Sequence, residues 1–441
     1  MLHADMGLLS ARKTYILLTG AVLLGCASPP SSNQSQNSNT ASAKATIDSV
    51  HAQASVVDGN LTFGLDMFKR LAESRDKPED NSFISPISIS SAFGLAYAGA
   101  REDTATDISK TMSFDLPFAQ QHKALGRLRT KLEDQTEGRL FDLANALFVD
   151  KSIKLEPDYK TLVQSAYDAD ETKVDYKKNR LSAIDTINSW VSDQTRGLIN
   201  SVVSKETLPK TTRSTLVNTA YLKADWQSTF APEATRTKTF HTPSGEILTP
   251  MMRSRKSLSY YKGNNFTAVD LPYKNNTMSM VVIRPKSVTG ADKTLQQLTP
   301  KTVKTLFKSL DNAETKQVDI SLPKADLAVE YILNNSLRGL GMTTPFSDSA
   351  NFSGITTTAP LKVGFVIHKT VLKVDEKGTE AAAVTAIVEM LTTGLRRPPP
   401  KIIRFNVDRP YIIILRHKET NAVLFMGLIN TPCPDGCESE P

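Results

Sequence analysis

The sequence predicts one α+β domain, and three observations support this fold class. The first third of the chain has helical hydrophobic periodicity, whereas most of the remainder consists of short apolar runs typical of strands. Neither a linker nor an internal repeat divides residues 56–430. The 441 residues, of which 40% are hydrophobic and 22% charged, can bury a core without support from disulfides or metals.

The N-terminus has the pattern of an export signal. Arg12 and Lys13 precede an apolar run, residues 15–24, which is too short to span a bilayer comfortably. The run ends in Leu-Leu-Gly-Cys, which resembles a bacterial lipobox. This resemblance predicts a lipoprotein signal peptide over residues 1–25, lipid on Cys26, and an exported protein anchored at the bacterial outer membrane or cell surface. An ordinary signal peptide with a chance cysteine is the alternative, and Met6 is a second candidate start.

Two short segments flank the expected domain, which covers residues 56–432. Residues 27–44 are mostly Ser, Asn, Gln, Pro and Ala, which bury too little apolar surface to order themselves. We therefore expect a lipid-anchored flexible tether over residues 26–55. In the tail, residues 433–441, export favours a disulfide between Cys433 and Cys437, and two free thiols are the alternative.

The helices follow from the 3.6-residue spacing of apolar side chains. They are expected over residues 56–72, 87–100, 121–132, 181–195 and 327–340. Leu61, Leu65 and Phe68 share one face of the first helix. Residues 81–86 are expected to form a turn, after which Ser85 or Ser88 caps the second helix.

The strands are predicted where short apolar runs lie between turn-forming residues. They are expected over residues 141–149, 216–222, 268–272, 278–284, 318–322, 402–407, 411–415 and 423–428. Helices first and strands later indicate helices packed on large sheets.

The sequence contains no motif that indicates catalysis. It has no Gly-x-Ser-x-Gly elbow, His-Glu-x-x-His pair, P-loop or Gly-x-Gly-x-x-Gly turn. None of the six histidines has metal-ligand spacing to another His or to Cys. The net charge of +7 comes from scattered rather than clustered residues, which argues against nucleic-acid binding. We therefore expect neither an enzyme nor a cofactor.

A run of small residues follows a glycine near the C-terminus. Residues 374–386 read Val-Asp-Glu-Lys-Gly-Thr-Glu-Ala-Ala-Ala-Val-Thr-Ala. Gly378 is expected to be a hinge, because glycine tolerates φ values that other residues avoid. In a strand, every second side chain faces one way. The side chains on one face would all be small: Thr379, Ala381, Ala383 and Thr385. Such a segment suits entry into a packed sheet, although propensity alone also allows a surface helix over residues 380–391.

From Leu61 to Asn430 the chain resembles the serpin family. The matching motifs occur in the family's order: Asn81–Ser90, Asn145–Phe148, Ile187–Val191 with Thr195–Ile199, Leu216–Trp226 with Phe230, Leu322–Lys324, Leu337–Phe346, Phe352–Ile355, Asp408–Tyr411 and Leu424–Gly427. Each motif alone is weak, but their order and spacing together are highly specific. The resemblance implies three β-sheets, eight or nine helices, a metastable native state and an exposed reactive-centre loop between Glu376 and Phe405.

The resemblance also implies roles for individual residues. The family's hinge corresponds to Glu376, Gly378, Thr379, Glu380, Ala381, Ala382 and Ala383. Its shutter, where polar groups bond beneath the strands that open, corresponds to Ser85, Ser88, Asn218 and His368. Its breach corresponds to Trp226 and to Lys324 as the partner of Glu376. Family spacing puts the reactive bond between Thr392 and Thr393. The alternative positions for cleavage are Met390, Leu391, Arg396 and Arg397.

The function that the resemblance implies is covalent suicide inhibition of serine endopeptidases, with cysteine endopeptidases as a further class. The expected partners are elastase-, chymotrypsin-, trypsin- or subtilisin-like proteases and, through the N-terminal lipid, a membrane. We expect a monomer. A non-inhibitory serpin that acts as a surface binding or chaperone-like lipoprotein is the alternative, and the small hinge residues argue against it.

Overall fold

The computed structural model describes residues 34–133, 139–209, 211–379 and 401–433. The chain divides into two units between residues 47 and 48, and the architecture below is that of the second unit, apart from the part of α1 before Asp48. The described residues contain nine α-helices: α1 Gln34–Glu73, α2 Pro86–Gly99, α3 Glu102–Met112, α4 Phe118–Leu132, α5 Pro157–Tyr167, α6 Arg180–Gln194, α7 Ala291–Gln297, α8 Pro300–Asp311 and α9 Asn334–Gly339.

The strands are distributed along the whole domain. They are β1 Ser82–Ile84, β2 Arg139–Asp150, β3 Asp170–Val174, β4 Ser214–Asp225, β5 Arg236–Thr242, β6 Gly245–Lys262, β7 Phe266–Pro272, β8 Met278–Pro285, β9 Lys316–Pro323, β10 Ala325–Ile332, β11 Ile367–Val374, β12 Gly378–Thr379, β13 Ile403–Asn406, β14 Tyr411–His417 and β15 Ala422–Ile429.

One sheet has six strands in the order β10-β11-β12-β4-β2-β3. Its neighbours are antiparallel except for the parallel pair β2–β3. Successive side chains of β2 and β4 point to opposite faces of the sheet and pack into two different apolar clusters. Leu147 and Leu222 join the main core, whereas Phe148 and Val217 pack with α6 on the opposite face.

The other sheet has nine strands, ordered β1-β15-β14-β8-β7-β6-β9-β13 with β5 paired to β6. The long strand β6 joins its two halves. Residues 259–262 of β6 pair with β7, and residues 251–258 pair with β9. The predicted α+β class is confirmed, and the third predicted sheet is continuous with the second through β6.

Local sequence signals explain why the helices begin where they do. Ser85 is the N-cap of α2 and accepts a hydrogen bond from the amide of Ser88, with Pro86 at the first helical position. Thr299 and Thr302 form a capping box at the start of α8. Buried apolar residues on both sheets then fix these helices in the main core.

Three expectations about elements need correction. The helix expected over residues 327–340 exists only in its second half, as α9. Residues 327–332 are strand, because Leu327, Val329 and Tyr331 alternate on β10, which pairs with β11 along its whole length. Residues 82–84 form β1 rather than a turn, because they pair with β15. The expected tether extends to residue 55, but α1 already begins at Gln34. The Ala, Gln and Lys residues of this segment favour helix, and no proline interrupts it.

No helix among the described residues combines the length and the hydropathy that crossing a membrane requires.

Candidate functional site

A very short strand lies inside the six-stranded sheet. β12 stands between β11 and β4 and is antiparallel to both. Thr379 is opposite Val374 on one side and Ala224 on the other, and only 4% of it is exposed. The chain that leads to residue 380 therefore already lies within the sheet.

A hydrogen-bonded turn carries the chain from β11 into β12. Oδ1 of Asp375 accepts the amide protons of Lys377 at 2.8 Å and Gly378 at 3.0 Å. Such bonds from an Asp side chain to nearby amides stabilise turns. The reason for glycine at 378 differs from the expected one. Its φ lies outside the left-handed region, but a Cβ here would lie 2.2 Å from the carbonyl oxygen of Ala224.

Two side chains from other parts of the chain bind the carboxylate of Glu376 in this turn. Lys324 Nζ lies 2.9 Å from its Oε2, and Thr235 Oγ1 donates to its Oε1 at 2.7 Å. Burial by itself would raise the pKa of Glu376, but the hydrogen bonds from Lys324 and Thr235 outweigh it and hold the pKa below its ordinary value. The carboxylate is therefore ionised and paired at neutral pH.

The segment that follows β4 supports the backbone of the same turn. Trp226 donates its backbone amide to the carbonyl of Lys377 at 2.8 Å and its indole Nε1 to the carbonyl of Asp375 at 3.0 Å. The amide of Phe230 donates to the carbonyl of Glu376 at 2.8 Å. Three consecutive carbonyls of the turn thus have donors from one short segment.

Beyond Thr379, no strand of the described residues lies between β4 and β11. β4 and β11 are not hydrogen-bonded to each other along their described lengths, and only the two residues of β12 join them. With neighbouring strands about 4.8 Å apart, β4 and β11 are separated at Thr379 by the width of one strand. A cavity of about 560 Å³ lies further along this gap, between residues 214–219 of β4 and residues 366–369. We call this gap the slot.

Polar side chains cluster beside the slot. Ser88 Oγ donates to Asn218 Oδ1, and Asn218 Nδ2 donates to Asn145 Oδ1 at 2.7 Å. Ser85 donates its amide to His368 Nε2 at 3.0 Å and its hydroxyl to a β15 carbonyl at 2.7 Å. The four residues predicted for a shutter therefore lie together, two on the strands that border the slot and two at the start of α2.

His368 is neutral in this cluster. It is 6% exposed, and burial lowers its pKa to about 4. Because Nε2 accepts the amide of Ser85, the ring proton is on Nδ1.

Some predicted site residues fall outside the described part of the chain. They are Cys26, Glu380, Ala381, Ala382, Ala383, Met390, Leu391, Thr392, Thr393, Arg396, Arg397 and Cys437. Cys433 is disulfide-bonded, and its pairing with Cys437 stays a prediction.

Sequence reasoning missed several side chains of the site. They are Asn145, Thr235, Asp375 and Tyr273. Three of them contact distant parts of the chain, such as Thr235 with Glu376, 141 positions apart, whereas Asp375 bonds the nearby amides of Lys377 and Gly378. Asn145 and Asp375 lie within segments noted above without a role for them, whereas Thr235 and Tyr273 gave no signal.

The model of the family described as "Serpin (serine protease inhibitor)" matches residues 58–432. The chain belongs to the serpin family. Among its relatives, Iripin-8 of Ixodes ricinus is 35% identical over 377 residues, which are 84% of this chain and 92% of the relative. The leukocyte elastase inhibitor of Bos taurus is 34% identical over 383 residues, 85% of this chain and 98% of the relative.

Solved structures agree with this serpin in fold. Human thyroxine-binding globulin complexed with thyroxine is 26% identical, with a TM-score of 0.76 over 87% of this chain and 100% of the other. The serpin family thus includes one relative whose name states elastase inhibition and another whose structure holds a small ligand.

Proposed function

We propose that this serpin inhibits serine endopeptidases as a suicide substrate. A protease would attack the loop after residue 379, and the freed strand would enter the slot while still covalently attached to the enzyme. The observation that carries the proposal is that β12 already lies between β11 and β4, that no described strand fills the gap between these two strands beyond Thr379, and that a cavity lies further along this gap.

The register of β12 favours the loop's own sequence as the occupant of the slot. Continued in that register, every second residue would face the main core: Ala381, Ala383 and Thr385. The neighbours on β4 would be Leu222, Ala220 and Asn218, and those on β11 would be Leu372, Thr370 and His368. The small side chains of Ala381 and Ala383 would thus lie against the mainly apolar neighbours, and the hydroxyl of Thr385 would lie in the polar cluster.

Insertion supplies the energy that trapping needs. A strand inserted between two others would form on the order of ten backbone hydrogen bonds, each with a net gain of about 0.5–1.5 kcal/mol. The total, roughly 5–15 kcal/mol, matches the whole stability of an ordinary domain. The intact form must then persist because its rearrangement is slow, rather than because it is the most stable form.

The steps that lead to the covalent ester are the ordinary chemistry of a serine protease. Its serine attacks a loop carbonyl, the peptide bond breaks, and the new amino terminus leaves with the C-terminal part of the serpin. Water would normally hydrolyse the resulting ester with help from the oxyanion hole. If insertion drags the enzyme along and distorts that hole before water attacks, the ester persists.

The proposal predicts a covalent complex with at least one enzyme in a panel of elastase-, chymotrypsin-, trypsin- and subtilisin-like proteases. The complex should resist denaturant, and mass spectrometry should find the serpin residue before the cleaved bond esterified to the catalytic serine. The C-terminal fragment released on denaturation should begin at Thr393 if Thr392–Thr393 is the reactive bond. Fragments that begin elsewhere would select among the alternatives at 390–391 and 396–397.

One control and one contrary outcome make this experiment decisive. Protease with its serine blocked in advance should give no complex, because the ester needs that nucleophile. Cleavage by every protease without a stable complex would contradict inhibition and would favour a non-inhibitory surface binding or chaperone-like role.

We further propose that the serpin is an exported lipoprotein anchored through Cys26. The signal-like N-terminus and the Leu-Leu-Gly-Cys sequence support this location. In a bacterial host, radiolabelled fatty acid should be incorporated into the wild-type protein and not into Cys26→Ser. Cys433→Ser is the matched control, since it removes a cysteine from the opposite end. Equal labelling of wild type and Cys26→Ser would rule out the anchor.

A further inference from the structure

Tyr273 contacts the hinge strand directly, and the sequence analysis assigned it no role. Its hydroxyl oxygen lies 2.7 Å from Oγ1 of Thr379, and both side chains are buried. Burial raises the pKa of Tyr273, against the opposing effect of the Thr379 hydrogen bond. The phenol therefore stays protonated and remains available for this bond.

The ring of Tyr273 is fixed by the nine-stranded sheet. Tyr273 directly follows β7, and its amide donates to the carbonyl of Met278 at 3.0 Å. Its ring stacks on Trp226 with centroids 4.6 Å apart and planes 4° from parallel. Since Trp226 bonds the carbonyl of Asp375, the two stacked rings hold both ends of the turn from 375 to 379.

Only one residue near β12 fits this contact. Between positions 377 and 383, Thr379 alone has a hydroxyl. A slip by one residue would present Gly378, which has no side chain, or Glu380, whose carboxylate is costly to bury. Such a slip would also turn every inward side chain of the strand outward. The contact thus distinguishes the correct register from its neighbours.

We propose that Tyr273 is a positioning residue that fixes the register of loop insertion by bonding Thr379 at the mouth of the slot. This role rests on the proposed inhibitory function and deepens it. The strand would enter with its first inward residue already in place, so that the small side chains follow on the core face. Without the bond, part of the population would insert out of register or late, and water would release the protease.

The test compares Tyr273→Phe, Thr379→Val and the double variant with the unaltered protein. The number of serpin molecules consumed per trapped protease should rise about two- to tenfold in each single variant, the change expected for the loss of one hydrogen bond. The rate at which the protease attacks the loop should not change. The double variant should be no worse than either single variant, because both remove the same contact.

Tyr159→Phe is the matched control. Tyr159 is also buried, and its hydroxyl donates to the carbonyl of Leu95 at 3.2 Å, on helices α5 and α2. Tyr159→Phe should leave the number of serpin molecules consumed per trapped protease unchanged. A Tyr273→Phe protein with wild-type stoichiometry, or a double variant equal to the sum of the singles, would overturn the proposal.

Amide hydrogen exchange supplies a readout that does not depend on trapping. In the uncut protein, the peptide that contains residues 375–379 should exchange about two- to tenfold faster in Tyr273→Phe than in wild type or Tyr159→Phe. Unchanged exchange would show that Tyr273 does not hold Thr379, and would overturn the proposal. If the unaltered protein traps no protease, the proposed function fails, while the exchange result still decides whether Tyr273 holds the hinge.

Discussion

Thr379→Arg is expected to convert the protein from an inhibitor into a substrate. The side chain at 379 is 4% exposed and lies between Val374 and Ala224 on the core face of the sheet. Arginine there would have to bury a guanidinium without a partner, at a cost of roughly several kcal/mol. The strand would then stay out of the slot, and water would hydrolyse the ester before the protease is distorted.

The measurement is the stoichiometry of inhibition together with the rate of loop cleavage. Cleavage should proceed at the wild-type rate, while the serpin consumed per trapped protease should rise about tenfold or more, as the burial cost of the charge implies. Thr237→Arg is the control, because Thr237 is exposed on β5 and belongs to the other sheet. If Thr379→Arg traps protease as well as wild type does, the side chain at 379 does not face inward during insertion.

Several core elements were predictable from the apolar pattern. Helices α4 and α6 have the 3.6-residue spacing, α2 is largely apolar, and β14 and β15 are short apolar runs. Strand β11, which borders the slot, was not predicted, because Lys369, Thr370 and Lys373 interrupt its apolar residues. The long strand β6 was missed because Arg253, Arg255 and Ser257 interrupt its apolar residues. Pairing on both of its sides makes it a strand all the same. Tertiary contact overrides a weak local signal in such segments.

The residues of the site also include some that the sequence predicted and some that it did not. Glu376, Gly378 and Thr379 were found through the run of small residues and its family resemblance. The reason for Gly378 was not found, since the carbonyl of Ala224 that excludes a Cβ is distant in sequence. Tyr273 gave no signal, because its partner Thr379 is 106 positions away. The separation of β4 from β11 could not be inferred from the sequence, because the spacing of two strands in a sheet is a property of the assembled fold.

The second large predicted effect is a rise in thermal stability after the loop is cleaved. One cut between residues 390 and 400 should allow the strand to insert, with a gain of about 5–15 kcal/mol from on the order of ten new backbone hydrogen bonds. With an unfolding entropy of about 2.1 cal/mol/K per residue, a domain of this size should then melt roughly 6–19 °C higher. A cut outside that segment adds no strand and should not raise the melting temperature.

The most direct test of the account is a pair of melting curves, one for the intact protein and one for the protein nicked once within residues 390–400. Thr379→Arg, nicked in the same way, is the control in which insertion is blocked. The account predicts a clear rise for nicked wild type and little or none for nicked Thr379→Arg. Superimposable curves for intact and nicked wild type would show that the slot does not take up the loop, and would contradict the mechanism.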